Sequence, residues 1–321
     1  MKTKSLKNGF SMPVLGMGTW QFGGREERNP ENDDAGQIAA LQAGIEAGFD
    51  LIDTAEYYAA GHAETLVGKA IAGYPREKLF LTSKVWKTHL RHDDVMRSAE
   101  QSLKRLGTDH FDLYLYHQID DAVPLEETIG ALNELADQGL TRFIGVSNFA
   151  PERLDRAVRC STRQIMVNQV HYSLKFREPE SSGLLKYCQD NDILLQAWRP
   201  LRGVESSPVT DELCRKYGIS LQQLCLCWLL SFKSLPVRDR LVEALKAGTE
   251  KSKIARYLYL LTIVGLCSVA TACVGVIFRM LHFPGSYEVL FMGGMSFAFV
   301  ALIISGLIPK FLKQTDEEDK K

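Results

Sequence analysis

The chain has 321 residues, of which 45% are hydrophobic and 24% are charged, and its formal net charge is -1. This near-neutral, mixed composition excludes a strongly basic nucleic-acid-binding protein and an intrinsically disordered chain. The length fits one large domain or two smaller ones. Seven cysteines, an odd number without regular spacing, argue against a disulfide framework and favour a reducing compartment.

Short apolar runs alternate with segments of helical periodicity through the first three quarters of the chain. A hairpin with an Asn8-Gly9 turn is predicted over 3–15. Strands are predicted at 14–18, 50–53, 79–84, 112–116, 143–147, 164–169, 193–197 and 235–237. Helices are predicted between them at 34–47, 63–73, 92–105, 125–138, 151–159, 180–190 and 209–231.

Eight strands that alternate with helices predict an α/β fold with a parallel sheet, and their number indicates a (β/α)8 TIM barrel. The eighth predicted strand, 235–237, has only three residues. A barrel whose last unit is incomplete is therefore an alternative to a complete barrel. An open doubly wound sheet is the alternative fold. Its phosphate-binding fingerprint is missing, because Gly16 and Gly18 have no third glycine in register.

Two long apolar runs follow the predicted barrel. Arg279 and Glu288 are the only charged residues between Tyr257 and Ile308. A helix over 257–278 would be about 33 Å long, enough to cross roughly 30 Å of hydrocarbon, and 289–308 is a second such run. We therefore predict a transmembrane helical hairpin over 257–308, with a pair of buried core helices as the alternative.

The charges that flank this hairpin predict its orientation. Six lysines and arginines lie in 238–256 and four lie in 309–321, whereas the turn holds one. The positive-inside rule then puts the barrel and both termini on the cytoplasmic side of the membrane. The predicted organisation is a barrel over 1–237, a basic juxtamembrane connector over 238–256, the hairpin, and a cytoplasmic tail over 309–321. No apolar run follows the first ten residues, so no signal peptide is expected.

Four polar residues stand at or just after the carboxyl ends of predicted strands, where a barrel of this class holds its active site. They are Asp53, Tyr58, Lys84 and His117. Each alone has an ordinary structural interpretation, such as a helix cap for Asp53. Together they fit a proton donor for carbonyl reduction: an ammonium near a phenol lowers its pKa from about 10, an aspartate holds the ammonium, and a histidine orients the carbonyl oxygen.

Seven motifs in chain order carry a family resemblance. They are LGMGTW (15–20), DLIDTAEYY (50–58), LTSKVW (81–86), DLYLYHQ (112–118), IGVSNF (144–149), VNQVHYS (167–173) and QAWRPLRGV (196–204). Through residue 237 the chain resembles the aldo-keto reductase family. The resemblance implies a (β/α)8 barrel and reduction of an aldehyde or ketone with NADPH, or else NADH. It puts the family's catalytic tetrad on Asp53, Tyr58, Lys84 and His117, with Tyr58 as the general acid.

The same resemblance implies further contacts to cofactor and substrate. Ser147, Asn148 and Gln169 fall where the family binds the nicotinamide carboxamide, and Trp198 falls where an aromatic ring stacks on the nicotinamide. The other implied cofactor contacts are Gly18, Thr19, Leu201 and Gly203, the last two in a loop near the pyrophosphate that also holds Arg199 and Arg202. Trp20 and Trp86 match positions that line the substrate pocket, with loop packing as the alternative. No metal site is predicted, because Cys225 and Cys227 fit buried packing better.

The resemblance ends at 235–237, where the family continues with a phosphate-binding loop and this chain continues with RDRLVEALKAGTEKSK. This departure leaves two alternatives to a membrane-anchored reductase. One is a catalytically weak or inactive binding or sensor module of a membrane assembly, and the other is a fusion of two unrelated pieces. The segment 275–294 resembles the membrane segment of a gliding-motility protein family, so a membrane protein partner is a further expectation beside the lipid bilayer.

Overall fold

A hairpin opens the chain and covers the amino-terminal end of the main sheet. In the computed structural model, which describes residues 2–230, β1 (Thr3–Ser5) pairs antiparallel with β2 (Ser11–Pro13). Gly9 reverses the chain with φ of 89°, in the left-handed region that favours glycine. The neighbouring Phe10 is buried and packs edge-on against Phe80 and Phe143. The predicted hairpin is confirmed.

Seven parallel strands follow within the described residues. They are β3 (Gly16–Gly18), β4 (Leu51–Asp53), β5 (Phe80–Val85), β6 (Phe111–Tyr116), β7 (Thr141–Ser147), β8 (Ile165–His171) and β9 (Leu194–Trp198). The strands are hydrogen-bonded in chain order and every neighbouring pair is parallel. This order is that of the curled sheet of a (β/α)8 barrel. The seven strand predictions from 14 to 197 are confirmed to within two residues, and the eighth, 235–237, lies outside the described residues.

Each of the strands β3 to β9 is followed along the chain by at least one helix. The helices are α1 (Asp34–Glu46), α2 (His62–Ile71), α3 (His92–Leu106), α4 (Leu125–Asp137), α5 (Pro151–Cys160), α6 (Glu178–Ser181), α7 (Leu184–Asp190), α8 (Pro208–Tyr217) and α9 (Leu221–Leu230). In α3, Val95, Ala99 and Leu103 recur every four residues and are buried on one face. Gly107 ends this helix in the left-handed conformation.

Two helix predictions are wrong in their extent, and a glycine explains each difference. The predicted helix over 180–190 is divided into α6 and α7 at Gly183, which has φ of 79°. The predicted helix over 209–231 is divided into α8 and α9 because Gly218 ends α8 with φ of 63°. Ser220 then starts α9, since its hydroxyl accepts a hydrogen bond from the Gln223 amide. Tyr217 and Ile219 flank Gly218 and conceal the second break, whereas polar residues precede Gly183.

Apolar side chains fill the sheet interior at its amino-terminal end. They form one cluster, made of Phe10, Met12, Leu51, Phe80, Leu113, Leu115, Val167 and Leu194. Strands β5 and β6 are buried along their whole length, as expected for parallel strands covered on both faces. Because this end is filled, polar side chains that point into the sheet interior gather at the carboxyl ends of the strands.

A buried ion pair ties α2 to β5 and α3. The Glu64 side chain has no solvent exposure, and its carboxylate accepts hydrogen bonds from Ser83 Oγ at 2.5 Å and Arg105 Nε at 2.7 Å. Burial raises the pKa of Glu64, although Arg105 and Ser83 oppose the shift. The Arg105 guanidinium therefore offsets the cost of desolvating the Glu64 carboxylate, which lies between the sheet and its helices.

The connector over 238–256, the hairpin over 257–308 and the tail over 309–321 lie outside the described residues. Between residues 2 and 230, no helix is both long enough and apolar enough to cross a membrane. At the end of this part, Cys225 is buried but Cys227 is exposed, so the predicted buried packing is wrong for Cys227.

Candidate active site

Tyr58 precedes a turn whose backbone is left-handed. Ala59 and Ala60 both have φ of 51°, and Gly61 has φ of 86°. This region costs about 1–2 kcal/mol for each residue with a side chain. The turn is fixed by the Ala59 amide, which donates to the Arg25 carbonyl at 2.7 Å, and by complete burial of the Ala59 side chain. The surrounding structure therefore imposes the conformation that places Tyr58 at the rim of the sheet.

The structure brings the four predicted catalytic residues together. Asp53 is the last residue of β4, Lys84 is the next-to-last residue of β5, and His117 directly follows β6. Because adjacent parallel strands end at the same edge of the sheet, these side chains meet there. Tyr58 reaches the same point from the loop after β4, with its ring centroid 5.6 Å from that of His117.

Lys84 links the carboxylate to the phenol. Its Nζ donates to Asp53 Oδ1 at 2.5 Å, to the Thr54 carbonyl at 2.9 Å and to the Tyr58 hydroxyl at 3.1 Å. An ammonium has three N–H bonds, so all three are used. The Tyr58 oxygen therefore accepts from Lys84, and its own proton is left to donate elsewhere. Asp53 is held in turn by Gln169, whose Nε2 donates to Oδ2 at 2.7 Å.

Burial and the neighbouring charges act in opposite directions on the pKa values of Lys84 and Tyr58. Burial alone would lower the pKa of Lys84, but the Asp53 carboxylate and Tyr58 outweigh it and the pKa is raised. Burial also raises the pKa of Tyr58; the Lys84 charge opposes this and Asp53 adds to it. The expectation that Lys84 brings the phenol below its ordinary pKa is therefore wrong for the net shift, because desolvation exceeds the effect of the ammonium. At neutral pH both groups keep their protons.

His117 is a neutral side chain beside the phenol. Burial, followed by the nearby Lys84 charge, holds its pKa well below the ordinary value of 6.5. Its Nδ1 is buried and has no hydrogen-bond partner among residues 2–230. The tautomer with the proton on Nε2 is favoured, since the other tautomer would bury an unpaired N–H group. His117 can therefore donate one hydrogen bond from Nε2 without carrying a charge.

Aromatic rings flank the tetrad. Trp20 contacts the Tyr58 ring edge-on at 5.1 Å, and Trp86 contacts the His117 ring edge-on at 5.0 Å. Both tryptophans line the cavity beside the tetrad, where the sequence put them. Tyr57 also lines it and stacks on Trp86, but sequence reasoning missed this residue. The doubled tyrosine in DLIDTAEYY is the signal that could have found it.

Three polar side chains form a second group at the ends of β7 and β8. Ser147 Oγ donates to the Gln169 carbonyl at 2.8 Å. The Asn148 amide nitrogen is 3.1 Å from both Ser147 Oγ and Gln118 Oε1, and 3.2 Å from the His117 carbonyl. Asn148 has φ of 63°, a conformation that asparagine tolerates better than most residues. The predicted amide-binding residues therefore adjoin the tetrad.

Trp198 belongs to a stack of three parallel rings. Its ring lies 4.5 Å from His171 at 12°, and His171 lies 4.1 Å from Phe176 at 14°. The indole Nε1 donates to Asn148 Oδ1 at 3.0 Å. One ring face is thus covered by His171 and one edge is fixed by Asn148. Sequence reasoning missed His171, although it lies within the VNQVHYS motif.

The other predicted cofactor residues are divided between the cavity and its surroundings. Gly18 and Leu201 line the cavity. Thr19 is fully buried, and its amide and hydroxyl both donate to the Asp53 carbonyl, so it supports β4 instead. A side chain at Gly203 would meet Lys175, and Gly203 is not among the lining residues.

The cavity fits a nicotinamide cofactor and a small substrate. Its volume is about 690 Å³, within the roughly 300–1,000 Å³ of ligand pockets. It is lined together by Tyr58, Asn148, Gln169 and Trp198, and also by Arg199, whose guanidinium lies over the Trp198 ring at 5.2 Å from its centroid. Trp198 offers a flat surface for a planar ring, and Asn148 and Gln169 offer hydrogen-bonding groups beside it. These residues would hold the nicotinamide, and Arg199 would meet an anionic part of the cofactor.

Comparison with known proteins agrees with this geometry. The sequence model of the "Aldo/keto reductase family" matches residues 14–239. The methylglyoxal reductase YeaE of Escherichia coli is 38% identical, covering 70% of this chain and 79% of the relative. The glyoxal reductase of Bacillus subtilis is 34% identical, covering 70% and 78%.

Solved structures give the same result. A thermostable aldo-keto reductase, solved with the inhibitor epalrestat, has a TM-score of 0.70 and 43% identity, covering 78% of this chain and 94% of that one. The Klebsiella pneumoniae aldo/keto reductase, solved with NADP and acetate, has a TM-score of 0.62 and 35% identity, covering 71% and 80%. The family resemblance predicted over 1–237 is confirmed over 14–239, and 275–294 lies outside the matched residues. The chain belongs to the aldo/keto reductase family of oxidoreductases.

Proposed function

We propose that the protein reduces a small aldehyde or ketone to an alcohol, with NADPH as the hydride donor. One observation carries the proposal: the Asp53–Lys84–Tyr58 chain of hydrogen bonds leaves the phenol proton free, beside a cavity that Asn148 and Trp198 also line. We propose NADPH rather than NADH because related structures from Klebsiella pneumoniae and the silkworm were solved with NADP and NADPH.

The reaction divides between the cofactor and the protein. When bound, the reduced nicotinamide supplies a hydride to the carbonyl carbon. Tyr58 gives its proton to the carbonyl oxygen as general acid, and His117 Nε2 donates a second hydrogen bond that orients this oxygen. Lys84 then stabilises the phenolate that Tyr58 becomes, since its Nζ is 3.1 Å from the phenol oxygen. Asp53 keeps the Lys84 ammonium in place.

The names of the relatives suggest a substrate class. The methylglyoxal reductase of Escherichia coli and the glyoxal reductase of Bacillus subtilis both carry the name of a 2-oxoaldehyde. We infer that compounds of this class, such as methylglyoxal, are substrates here. The aromatic rings beside Tyr58 support this, because Trp20, Tyr57 and Trp86 crowd the part of the cavity next to the proton donor.

We further propose that the apolar runs over 257–278 and 289–308 anchor the enzyme in the cytoplasmic membrane, with the barrel and both termini facing the cytoplasm. The near absence of charge and the flanking lysines and arginines support this. Recovery of the full chain in the supernatant after an alkaline wash of membranes would contradict it.

The enzymatic proposal is tested with the purified full-length chain. NADPH is titrated while its nicotinamide fluorescence is followed, and oxidation of NADPH is then measured with methylglyoxal. We expect saturable binding and substrate-dependent oxidation. Absence of binding at millimolar NADPH would overturn the proposal and favour a non-catalytic binding or sensor module. Binding without oxidation of NADPH by methylglyoxal or another small aldehyde would do the same.

The pH dependence of kcat/KM is expected to be flat across neutral pH. Activity needs Tyr58 protonated and His117 neutral; the pKa of Tyr58 is raised above 10 and that of His117 lies well below 6.5. The proton of Tyr58 is therefore lost only above pH 10, and His117 gains a charge only in acid. The measurement is kcat/KM from pH 6 to 10 with a non-enolisable aldehyde. An inflection between pH 7 and 9 would contradict these shifts.

A further inference from the structure

Three aromatic rings of nearly the same orientation form one wall of the cavity beside the proton donor. The Tyr57 ring stacks on Trp86 with centroids 3.6 Å apart and planes at 14°. Trp20 is parallel to Tyr57 at 6.2 Å and 6°. His117 and Tyr58 contact these rings edge-on, at interplanar angles of 68° to 80°. The two groups that would hold the carbonyl oxygen thus stand beside an aromatic wall made of parallel rings.

Tyr57 is fixed in this wall at its face and at its hydroxyl. Stacking on Trp86 covers one face of the ring. The hydroxyl interacts with the Glu26 carboxylate, and burial together with this carboxylate raises the pKa of Tyr57. Trp86 is itself held, since its amide donates to Glu56 Oε1 at 2.6 Å. A rotation of the Tyr57 ring away from the cavity would therefore break both the stacking and the contact with Glu26.

The wall lies close to the carbonyl group that Tyr58 would protonate. Tyr57 and Tyr58 are consecutive, and His117 is edge-on to both rings at 6.3 Å and 5.6 Å. A carbonyl bonded to Tyr58 and His117 has its substituents in the cavity that the Tyr57 ring also lines. A flat substituent can lie against a ring face at about 3.5–4 Å. A carbon with three branches next to the carbonyl cannot approach as closely without displacing the ring.

We propose that Tyr57 is a specificity-determining residue that restricts the substrate to carbonyl compounds with small or flat substituents and excludes those branched next to the carbonyl. This inference rests on the proposed reduction and adds the residue that selects among its substrates. Replacement of Tyr57 by alanine removes the ring from the wall and opens space beside Trp86. Replacement by phenylalanine keeps the ring and removes only the hydroxyl.

The test compares two aldehydes with the full-length protein and its Tyr57→Ala and Tyr57→Phe variants. Phenylglyoxal is flat, and 2,2-dimethylpropanal is branched next to the carbonyl. The quantity measured is the ratio of kcat/KM for the branched aldehyde to that for the flat one. We expect Tyr57→Ala to raise this ratio about tenfold or more, the size of effect that one or two methyl groups have in a tight pocket. Tyr57→Phe is expected to keep a ratio close to that of the wild type.

Each outcome separates this inference from the proposed function. If the wild type reduces neither these aldehydes nor methylglyoxal, the proposed function fails. If the wild type reduces them and Tyr57→Ala leaves the ratio unchanged, the specificity role of Tyr57 is wrong. The dissociation constant for NADPH, measured by fluorescence on each variant, is expected to stay within threefold of the wild type. A larger loss in Tyr57→Ala would show a general distortion of the site and overturn the assignment of Tyr57 to substrate selection.

Discussion

Replacement of Tyr58 by phenylalanine is expected to lower kcat/KM for carbonyl reduction by about 10²–10⁴-fold, the usual contribution of a positioned general acid. The reason is geometric: Lys84 and Asp53 fix the phenol oxygen, and only the Tyr58 proton is left for the substrate. The expected loss is equivalent to about 3–5 kcal/mol of transition-state stabilisation. Initial rates of NADPH oxidation with methylglyoxal measure it.

The dissociation constant for NADPH separates a lost proton donor from a damaged site. It is expected to change little in Tyr58→Phe, because Asn148 and Gln169, the residues proposed to bind the nicotinamide amide, are intact. Tyr217→Phe is the matched control: it removes a hydroxyl from a half-exposed tyrosine at the end of α8. Activity of Tyr58→Phe within threefold of the wild type would assign the proton transfer to another group, such as His117.

Replacement of Arg105 by methionine is expected to destabilise the fold by about 3–5 kcal/mol, because it leaves a buried carboxylate without its cation. Glu64 has no solvent exposure, and Arg105 Nε is 2.7 Å from its Oε2. Ser83 Oγ would remain as a donor to the carboxylate but carries no charge. Urea denaturation of the wild type and the variant measures the difference in free energy of unfolding.

The loss in Arg105→Met is expected to grow with pH. Burial raises the pKa of Glu64 in the folded protein, and removal of Arg105 takes away the largest opposing effect. The folded variant then holds the Glu64 proton more tightly than the unfolded chain, in which a glutamate has a pKa of about 4.3. The folded state therefore loses stability as the pH rises above that value. The deficit is therefore smaller at pH 5 than at pH 8. The double variant Glu64→Leu/Arg105→Met should recover much of the stability and remove this pH dependence; a pH-independent deficit in the single variant would refute the explanation.

The parallel strands could be predicted from the sequence because each contains a short apolar run with polar residues at its ends, between segments of helical periodicity. Runs such as 79–84 and 112–116 therefore correspond closely to β5 and β6. The breaks at Gly183 and Gly218 could not be predicted from the glycines alone, although Ser181 and Ser182 before Gly183 are polar. A glycine is compatible with a helix interior as well as with a helix end.

The candidate site was predictable in its residue types and less so in its electrostatics. Strand ends and motifs located Asp53, Lys84 and His117, since parallel strands end at a common edge. The net pKa of Tyr58 was not predictable, because the sequence shows the neighbouring charge of Lys84 but not the desolvation that exceeds it. Contacts between distant segments, such as the stack of His171 on Trp198, likewise depend on the folded geometry.

The left-handed turn after Tyr58 has a consequence for how long activity survives stress. Ala59 and Ala60 together hold about 2–4 kcal/mol of unfavourable backbone energy, which is released when this short segment opens. Opening of this turn therefore needs about that much less free energy than opening of an unstrained turn with the same contacts. The position of the proton donor is thus less stable than its burial and hydrogen bonds alone would make it. We expect activity to be lost at a lower urea concentration than the far-UV circular dichroism of the helices and strands.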